Sequence, residues 1–213
     1  RWTHELFKEV ANKIKELNND PEVHGIMVQL PLPEEFLQGH KEKELLQLID
    51  FKKDVDGLNY DYARKPSAFV PAAVKAVLSI LKDEKISVVG KNVVVVGSSD
   101  LVGKPMAEEI KKLGAKVKIC DSQTLNLQGE TLEAEILISA TGVPGLITGN
   151  MVSDGVIVID VGAEKVNGKV IGDVDFISVI PKASKITPVP GGVGPMTVIS
   201  LMENVVEAAS FKN

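Results

Sequence analysis

Apolar residues recur at helical spacing near the start of the chain: Leu6, Val10, Ile14 and Leu17 share one helix face, with charged and amide residues between them. Thr3 stands where a helix N-cap belongs, and Asn18-Asn19-Asp20-Pro21 ends the pattern. The run His24-Gly25-Ile26-Met27-Val28-Gln29 then reads as a buried strand, halted by Leu30-Pro31-Leu32-Pro33. A second helix is predicted from Lys41 to Ile49, ahead of the loop Lys53-Asp54-Val55-Asp56-Gly57. Pro71 opens a third helix, from Ala72 to about Leu81.

Beyond residue 90 the pattern alternates more regularly. Asn92-Val93-Val94-Val95-Val96 is a short apolar run of the kind buried on both faces of a parallel sheet. It is followed by Gly97-Ser98-Ser99-Asp100-Leu101-Val102-Gly103-Lys104-Pro105 and a helical pattern through Met106, Ile110 and Leu113, which Gly114 ends. Lys116 to Cys120, Ile136 to Ser139 and Val156 to Ile159 are further strands. The last two lead into the glycine-bearing turns Ala140-Thr141-Gly142 and Asp160-Val161-Gly162. Such alternation predicts an α/β fold containing a doubly wound Rossmann-type dinucleotide domain, with ligand at the carboxyl ends of the strands.

Composition narrows the class. Hydrophobic residues make up 44% and charged residues 25% of 213 positions, as in globular proteins. A net charge of −5 with no basic block gives no reason to expect nucleic acid, and no apolar run reaches membrane-span length. Cys120 is the single cysteine, which excludes an internal disulfide and suits a reducing compartment. His4, His24 and His40 lack metal-ligand spacing, so no metal site is expected. The expected location is the cytoplasm, or an organelle if a leader preceded Arg1, a first residue that reads as the start of a processed or partial product.

Two segments carry candidate chemistry. In Ile186 to Thr197, Pro188, Pro190 and Pro195 intersperse with Gly191, Gly192 and Gly194, which predicts a rigid loop leading into a final helix from about Thr197 to Asn213. Such a loop suits a flat or anionic ligand, or serves only as a domain-closing turn. In the strand-turn-helix at 92–113, Gly97 permits a tight turn and Gly103 a close approach of helix to strand, so a pyrophosphate would rest on the helix start. The alternative is that both glycines serve packing alone, because Gly-x-x-x-x-x-Gly is not the usual dinucleotide fingerprint. Asp121, at the end of the second strand, stands where a carboxylate accepts ribose hydroxyls and repels a 2′-phosphate; it is otherwise an ordinary turn residue.

With those residues in view, the chain resembles the methylenetetrahydrofolate dehydrogenase/cyclohydrolase family. The matching segments are residues 24–33, Lys53-Asp54-Val55-Asp56-Gly57, Gly97 to Pro105, Gly172-Asp173-Val174 and Thr187 to Thr197, in the family's order. The resemblance implies a two-domain enzyme with folate in the interdomain cleft, so that the Rossmann-type domain stands beside an incomplete α/β folate-binding catalytic domain. The enzyme so implied oxidises 5,10-methylenetetrahydrofolate by hydride transfer to a nicotinamide, then usually hydrolyses the methenyl product to 10-formyltetrahydrofolate. By position, Gln29 matches the active-site glutamine and Asp56 the pterin-binding carboxylate, the two catalytic candidates. Gly192, Gly194 and Pro195 match the loop that packs on folate. Ser99, Val102, Ser122, Ala140, Thr141, Gly142 and Thr197 match cofactor contacts, beside Gly97, Ser98, Gly103 and Asp121. Taken without the resemblance, Asp56 is a turn residue and Gln29 a strand-end amide bonded to backbone.

Departures from the family pattern shape the expectation. The family's Tyr-x-x-x-Lys motif does not occur in these 213 residues, and Tyr60 and Tyr62, near Arg64 and Lys65, do not supply it. The chain as written is therefore expected to be weak or inactive, without cyclohydrolase activity; a non-catalytic folate- or dinucleotide-binding remnant is the alternative. Ser98 and Gln123 replace a common Arg and an often basic residue that in the family bind the 2′-phosphate of NADP, and Asp121 stands where members often have His, so the cofactor expected is NAD or NADP, with NAD favoured. The usual Pro-Cys-Thr-Pro reads Pro71-Ala72-Ala73-Val74 here. The domains expected are 1–72 with 197–213 for folate and 73–196 for the dinucleotide, with tetrahydrofolate derivatives and a second copy, as a homodimer, for partners.

Overall fold

The computed structural model describes residues 4–59 and 68–211. Thr3, Tyr60, Tyr62, Arg64 and Lys65 lie outside them. The chain divides into two compact units, Arg1–Ala72 with Leu201–Asn213, and Ala73–Ser200.

In the first unit, α1 (His4–Asn19) buries Phe7 and Ile14 outright, while Leu6, Val10 and Leu17 are half-buried. Phe7 therefore joins the predicted stripe. Its ring lies 5.8 Å from that of Phe36, on the short helix α2 (Glu34–Leu37). The expected helix at Lys41–Ile49 is a shorter α3 (Glu42–Leu46) followed by turns, with Leu45, Leu46 and Ile49 buried. The expected strand at 24–29 does not form. Only Ile26 is buried, and it makes a single parallel bridge to Asp54, its N–H donating to the Lys53 carbonyl at 2.7 Å. A strand requires a ladder, and among the described residues no neighbour extends this one.

The second unit begins with α4 (Ala72–Asp83), which starts directly after Pro71 as its ring predisposes. It is built on a parallel sheet of β1 (Asn92–Val96), β2 (Lys116–Cys120), β3 (Ile136–Ser139), β4 (Ile157–Asp160) and, at one edge, β7 (Lys185–Ile186). The strand order is β2-β1-β3-β4-β7. All four pairings are parallel, in the register Val96↔Cys120, Val96↔Ser139, Ser139↔Asp160 and Val158↔Ile186. Val93 to Val96 are each at most 3% exposed, and fully burying such a side chain contributes roughly 1.5 to 3 kcal/mol, which is why the strand reads as unbroken valine rather than as an alternation. Helix α5 (Gly103–Lys112) runs between β1 and β2 and buries Met106, Ala107 and Ile110. It ends at Gly114, whose φ of 88° belongs to the left-handed C-terminal cap.

Short elements complete the unit. They are α6 (Leu127–Leu132), a single 3-10 turn at Gly149–Met151, the antiparallel hairpin β5 (Glu164–Val166) and β6 (Lys169–Ile171), and α7 (Phe176–Val179). The hairpin turns at Asn167-Gly168, both with positive φ, the two-residue connection whose twist matches the strands. Finally α8 spans Val193–Ser210, so the last helix starts earlier than the proline-rich segment implied. Pro195 falls within its first turn, where a missing N–H costs nothing.

Candidate functional site

Strand β1 has β2 on one side and β3 on the other, so the chain reverses its direction of winding between β1 and β3. Open parallel sheets bind ligands at the carboxyl ends flanking such a switch. The turns after β1 and β3 meet there with no room to spare. A Cβ on Gly97, where φ is 115°, would overlap the Ala140 carbonyl oxygen, and a Cβ on Gly103 would overlap the Gly97 carbonyl. Both obstacles are backbone, so the two glycines bring helix, turn and neighbouring turn together in a way no other residue permits.

Beside this junction lies a cavity of about 380 Å³ lined by Gly97, Ser98, Ser99, Asp121, Ser122, Ala140 and Thr141, with Val96, Leu127, Val143 and Leu146 as its apolar wall. Seven of the candidates are thereby brought together. Gly103, packed against the Gly97 carbonyl, does not line it, and neither do Val102, Gly142 and Thr197. Ser99 serves α5 itself. Its Oγ accepts from the N–H groups of Val102 (3.2 Å) and Gly103 (3.3 Å), and its carbonyl accepts from Lys104 N–H (3.0 Å). The helix start is thus partly satisfied from within. The Thr197 hydroxyl donates back to the Val193 carbonyl of its own helix at 3.1 Å. Asp121 holds its own turn, one carboxylate oxygen accepting from Gln123 N–H at 2.9 Å while its N–H donates to Thr124 Oγ1 at 2.9 Å. Among the described residues, no Lys or Arg lines the cavity. Glycine approach, a half-buried carboxylate and an apolar wall fit a ribonucleotide portion of a dinucleotide.

The first unit holds the second candidate group. Within residues 53–57 almost every side chain or backbone group is fixed. Lys53 Nζ donates to the carbonyls of Leu17 (3.0 Å), Asn18 (2.8 Å) and Asp20 (2.7 Å), closing the end of α1. Asp54 accepts from Asn59 N–H at 2.7 Å. The Val55 carbonyl accepts from the buried Asn204 side chain on α8 at 2.9 Å, which also donates to the Val70 carbonyl at 3.2 Å. Gly57, with φ of 72°, packs against Phe69 and Pro71. The Asp56 carboxylate takes none of these bonds. Burial, and then the nearby Asp54 charge, push its pKa up to about 6. A half-buried carboxylate of raised pKa on a loop braced in this way can accept from a ligand that supplies N–H donors.

Gln29 follows the Ile26–Asp54 bridge by three residues on one segment, and Asp56 follows it by two on the other. Gln29 is exposed, and its Nε2 donates to the Leu30 carbonyl at 3.0 Å, the backbone bond anticipated for a strand-end amide. Gly192 lines a separate, mainly apolar cavity of about 430 Å³ in the second unit, together with Ile80, Ile159, Ile186 and Met196. Gly194 and Pro195 are exposed, and a Cβ on Gly194 would meet nothing within 4 Å.

Some contributors escape sequence reasoning. Asn204 and Lys53 act through contacts distant in sequence, and neither residue type in its place signals them. Asp160 and Asp173, both buried, are similar: their carboxylates hold backbone N–H groups at the strand ends.

Comparison with known proteins identifies the family. Residues 3–56 match the model of the tetrahydrofolate dehydrogenase/cyclohydrolase catalytic domain, and residues 71–213 match that family's NAD(P)-binding domain. The bifunctional protein FolD of Lactobacillus acidophilus is 50% identical over 211 residues, 97% of this chain and 73% of the relative. Among solved structures, the bifunctional methylenetetrahydrofolate dehydrogenase/cyclohydrolase of Campylobacter jejuni superposes with a TM-score of 0.87 at 41% identity, covering 95% of this chain and 72% of that one. The Trypanosoma brucei enzyme, complexed with NADP and an inhibitor, gives 0.84 at 34% identity over 95% of this chain and 72% of that one. A switch-point cavity between glycine turns, an unspent carboxylate on a braced loop and matches through both units lead to one conclusion: the chain belongs to the tetrahydrofolate dehydrogenase/cyclohydrolase family.

Proposed function

We propose that this chain serves the oxidation of 5,10-methylenetetrahydrofolate, using NAD in preference to NADP. A bound nicotinamide supplies the hydride acceptor. Asp121 accepts the ribose hydroxyls, Gly97 and Gly103 let the backbone come close to the pyrophosphate, and Ser98, Ser122, Ala140 and Thr141 form the remaining polar contacts. Val102, Ser99, Gly142 and Thr197 act behind or beside them. Asp56 accepts N–H groups of the pterin, Gln29 orients the folate amine, and Gly192, Gly194 and Pro195 present a flat surface to the ring system.

The observation that carries the nucleotide assignment is the gathering of seven candidate residues around one cavity at the β1/β3 switch. The NAD preference rests on Asp121 and Ser98 in that lining and on its lack of a basic side chain among the described residues. A 2′-phosphate beside Asp121 would face like charge, which costs roughly 4 kcal/mol per pair of unit charges at 4 Å near a protein surface, less where water screens it. The trypanosomal relative is complexed with NADP, so the preference proposed here rests on these few side chains and not on the fold.

Calorimetric titration with NAD and NADP, with and without a tetrahydrofolate analogue, tests the reading. NAD binding at least tenfold tighter than NADP is expected. Tighter NADP binding overturns the preference, and no binding of either by folded protein overturns the nucleotide site. Binding without hydride transfer to NAD would make the chain a binding module rather than a dehydrogenase. A reducing, cytoplasmic setting and a homodimer belong to the same proposal. The first is supported by the single buried Cys120, and the second is checked by light scattering of the purified protein.

A further inference from the structure

The Gly172-Asp173-Val174 segment lies outside the cavity lining, yet it reaches the cavity through a chain of hydrogen bonds. Asp173 is 1% exposed. One of its carboxylate oxygens accepts both from Ser139 Oγ, the last residue of β3, at 2.9 Å and from Thr141 N–H at 2.6 Å. Those two residues flank Ala140, whose carbonyl abuts Gly97 across the switch point. Asp173 is in turn held by Asp160, at the end of β4. Asp160 Oδ1 accepts from the N–H groups of Gly162 and Asp173, both at 3.1 Å, and Oδ2 accepts from Val174 N–H at 3.0 Å. Gly162 and Gly172 complete the lock, since a Cβ on Gly162 would overlap the Asp173 carboxylate and one on Gly172 the Asp160 carboxylate.

Two buried carboxylates in one small region are costly unless their bonds are well used. Here three of the bonds fix the turns that follow β3 and β4, and the two to Asp173 and Val174 N–H hold the segment after β6 against them. The Thr141 N–H is directed inward at Asp173, and the Thr141 hydroxyl accepts from Val143 N–H at 3.1 Å, so this wall of the cavity has a single set position.

We infer that Asp173 is a positioning residue for the nucleotide: from behind the wall, braced by Asp160, it sets the Ser139–Thr141 turn against Gly97 and so fixes the shape of the cavity. The inference rests on the nucleotide reading of that cavity. Asparagine can keep both accepting contacts on its carbonyl oxygen, whereas alanine keeps neither.

The test is calorimetric titration of the parent chain, Asp173→Ala, Asp173→Asn and Ser139→Ala with NAD and, separately, with a tetrahydrofolate analogue. Asp173→Ala is expected to weaken NAD binding at least tenfold and to leave analogue binding within about twofold; Asp173→Asn is expected to restore most of the NAD affinity. Ser139→Ala, which removes one of the two bonds, should fall between parent and Asp173→Ala. Should Asp173→Ala fail to fold, the order parent, Asp173→Asn, Ser139→Ala in NAD affinity decides the same question. NAD affinity within twofold of the parent in folded Asp173→Ala, or in Ser139→Ala if that variant alone folds, overturns the inference. Equal weakening toward NAD and the folate analogue overturns it too, because a general loss of structure would then explain the effect. A parent chain that binds no nucleotide refutes the nucleotide reading itself.

Discussion

Replacing Asp56 by asparagine should make the protein more stable and less able to bind folate. Burial, with the Asp54 charge second, raises the Asp56 pKa from 3.8 to about 6, roughly two pK units or about 3 kcal/mol at 1.36 kcal/mol per unit. The group keeps some exposure, so about half of that is the better expectation. The sign follows from proton counting. Between the unfolded and folded pKa values the native state holds the proton more tightly, so this group's contribution is fully present below about pH 4 and is lost as pH rises through about 6. Asparagine carries no charge to desolvate. Urea denaturation of Asp56→Asn should therefore show a gain of about 1.5 kcal/mol over the parent near pH 8, shrinking toward nothing near pH 4. Titration with a tetrahydrofolate analogue near pH 8 should show at least a tenfold loss of affinity with NAD binding unchanged. A variant no more stable than the parent near pH 8, or a gain that persists near pH 4, would refute the claim that this carboxylate is held desolvated for a ligand. Parallel loss of folate and NAD binding would indicate misfolding instead.

Gly103→Ala should place a methyl group against the Gly97 carbonyl, which is backbone and cannot yield; a loss of roughly 1–3 kcal/mol in chemical denaturation and a tenfold or greater weakening of NAD binding are expected, and wild-type NAD affinity would contradict the close-approach argument. Asp121→Ala should weaken NAD binding and raise the NADP/NAD affinity ratio about tenfold in parallel titrations, consistent with removing one screened like-charge contact; an unchanged ratio removes Asp121 from the selectivity argument. Lys53→Met breaks three charge-assisted bonds to the end of α1 and should cost roughly 2 kcal/mol, visible as a lower thermal midpoint, with an unaltered midpoint counting against the clamp. Gly194→Ala enters open space in the first turn of α8 and should leave stability unchanged or improve it by up to about 1 kcal/mol. The same substitution should weaken binding of the folate analogue if the ring system packs there.

Sequence periodicity placed β1 to β4, α4 and α5 because each is a local pattern repeated within one element. A buried parallel strand must be apolar on both faces, as Val93 to Val96 are, and a helix between two strands must end in a residue such as Gly114. The same local logic misjudged residues 24–29. Their composition suits a strand, but a strand exists only where a neighbour pairs with it, and here the pairing is one residue long. The hairpin β5–β6 carries a local signal in its Asn167-Gly168 turn, whereas the two-residue β7 is too short to carry any period.

Chemistry divides in the same way. The sequence by itself determined the residue types on offer: glycines after β1, a carboxylate after β2 and a carboxylate in the loop at 53–57. Each is a matter of spacing along one segment. Only the tertiary structure decided what those groups do with their hydrogen bonds. It commits Ser99 to capping α5 and Gln29 to its neighbour's carbonyl, leaves the Asp56 carboxylate without such a bond among the described residues, and joins Asp160 to Asp173 behind the wall of the switch-point cavity. A polar side chain satisfied by backbone and one held ready for a ligand are the same letter in a sequence. They differ in which partners lie within about 3 Å, and folding alone brings those partners together.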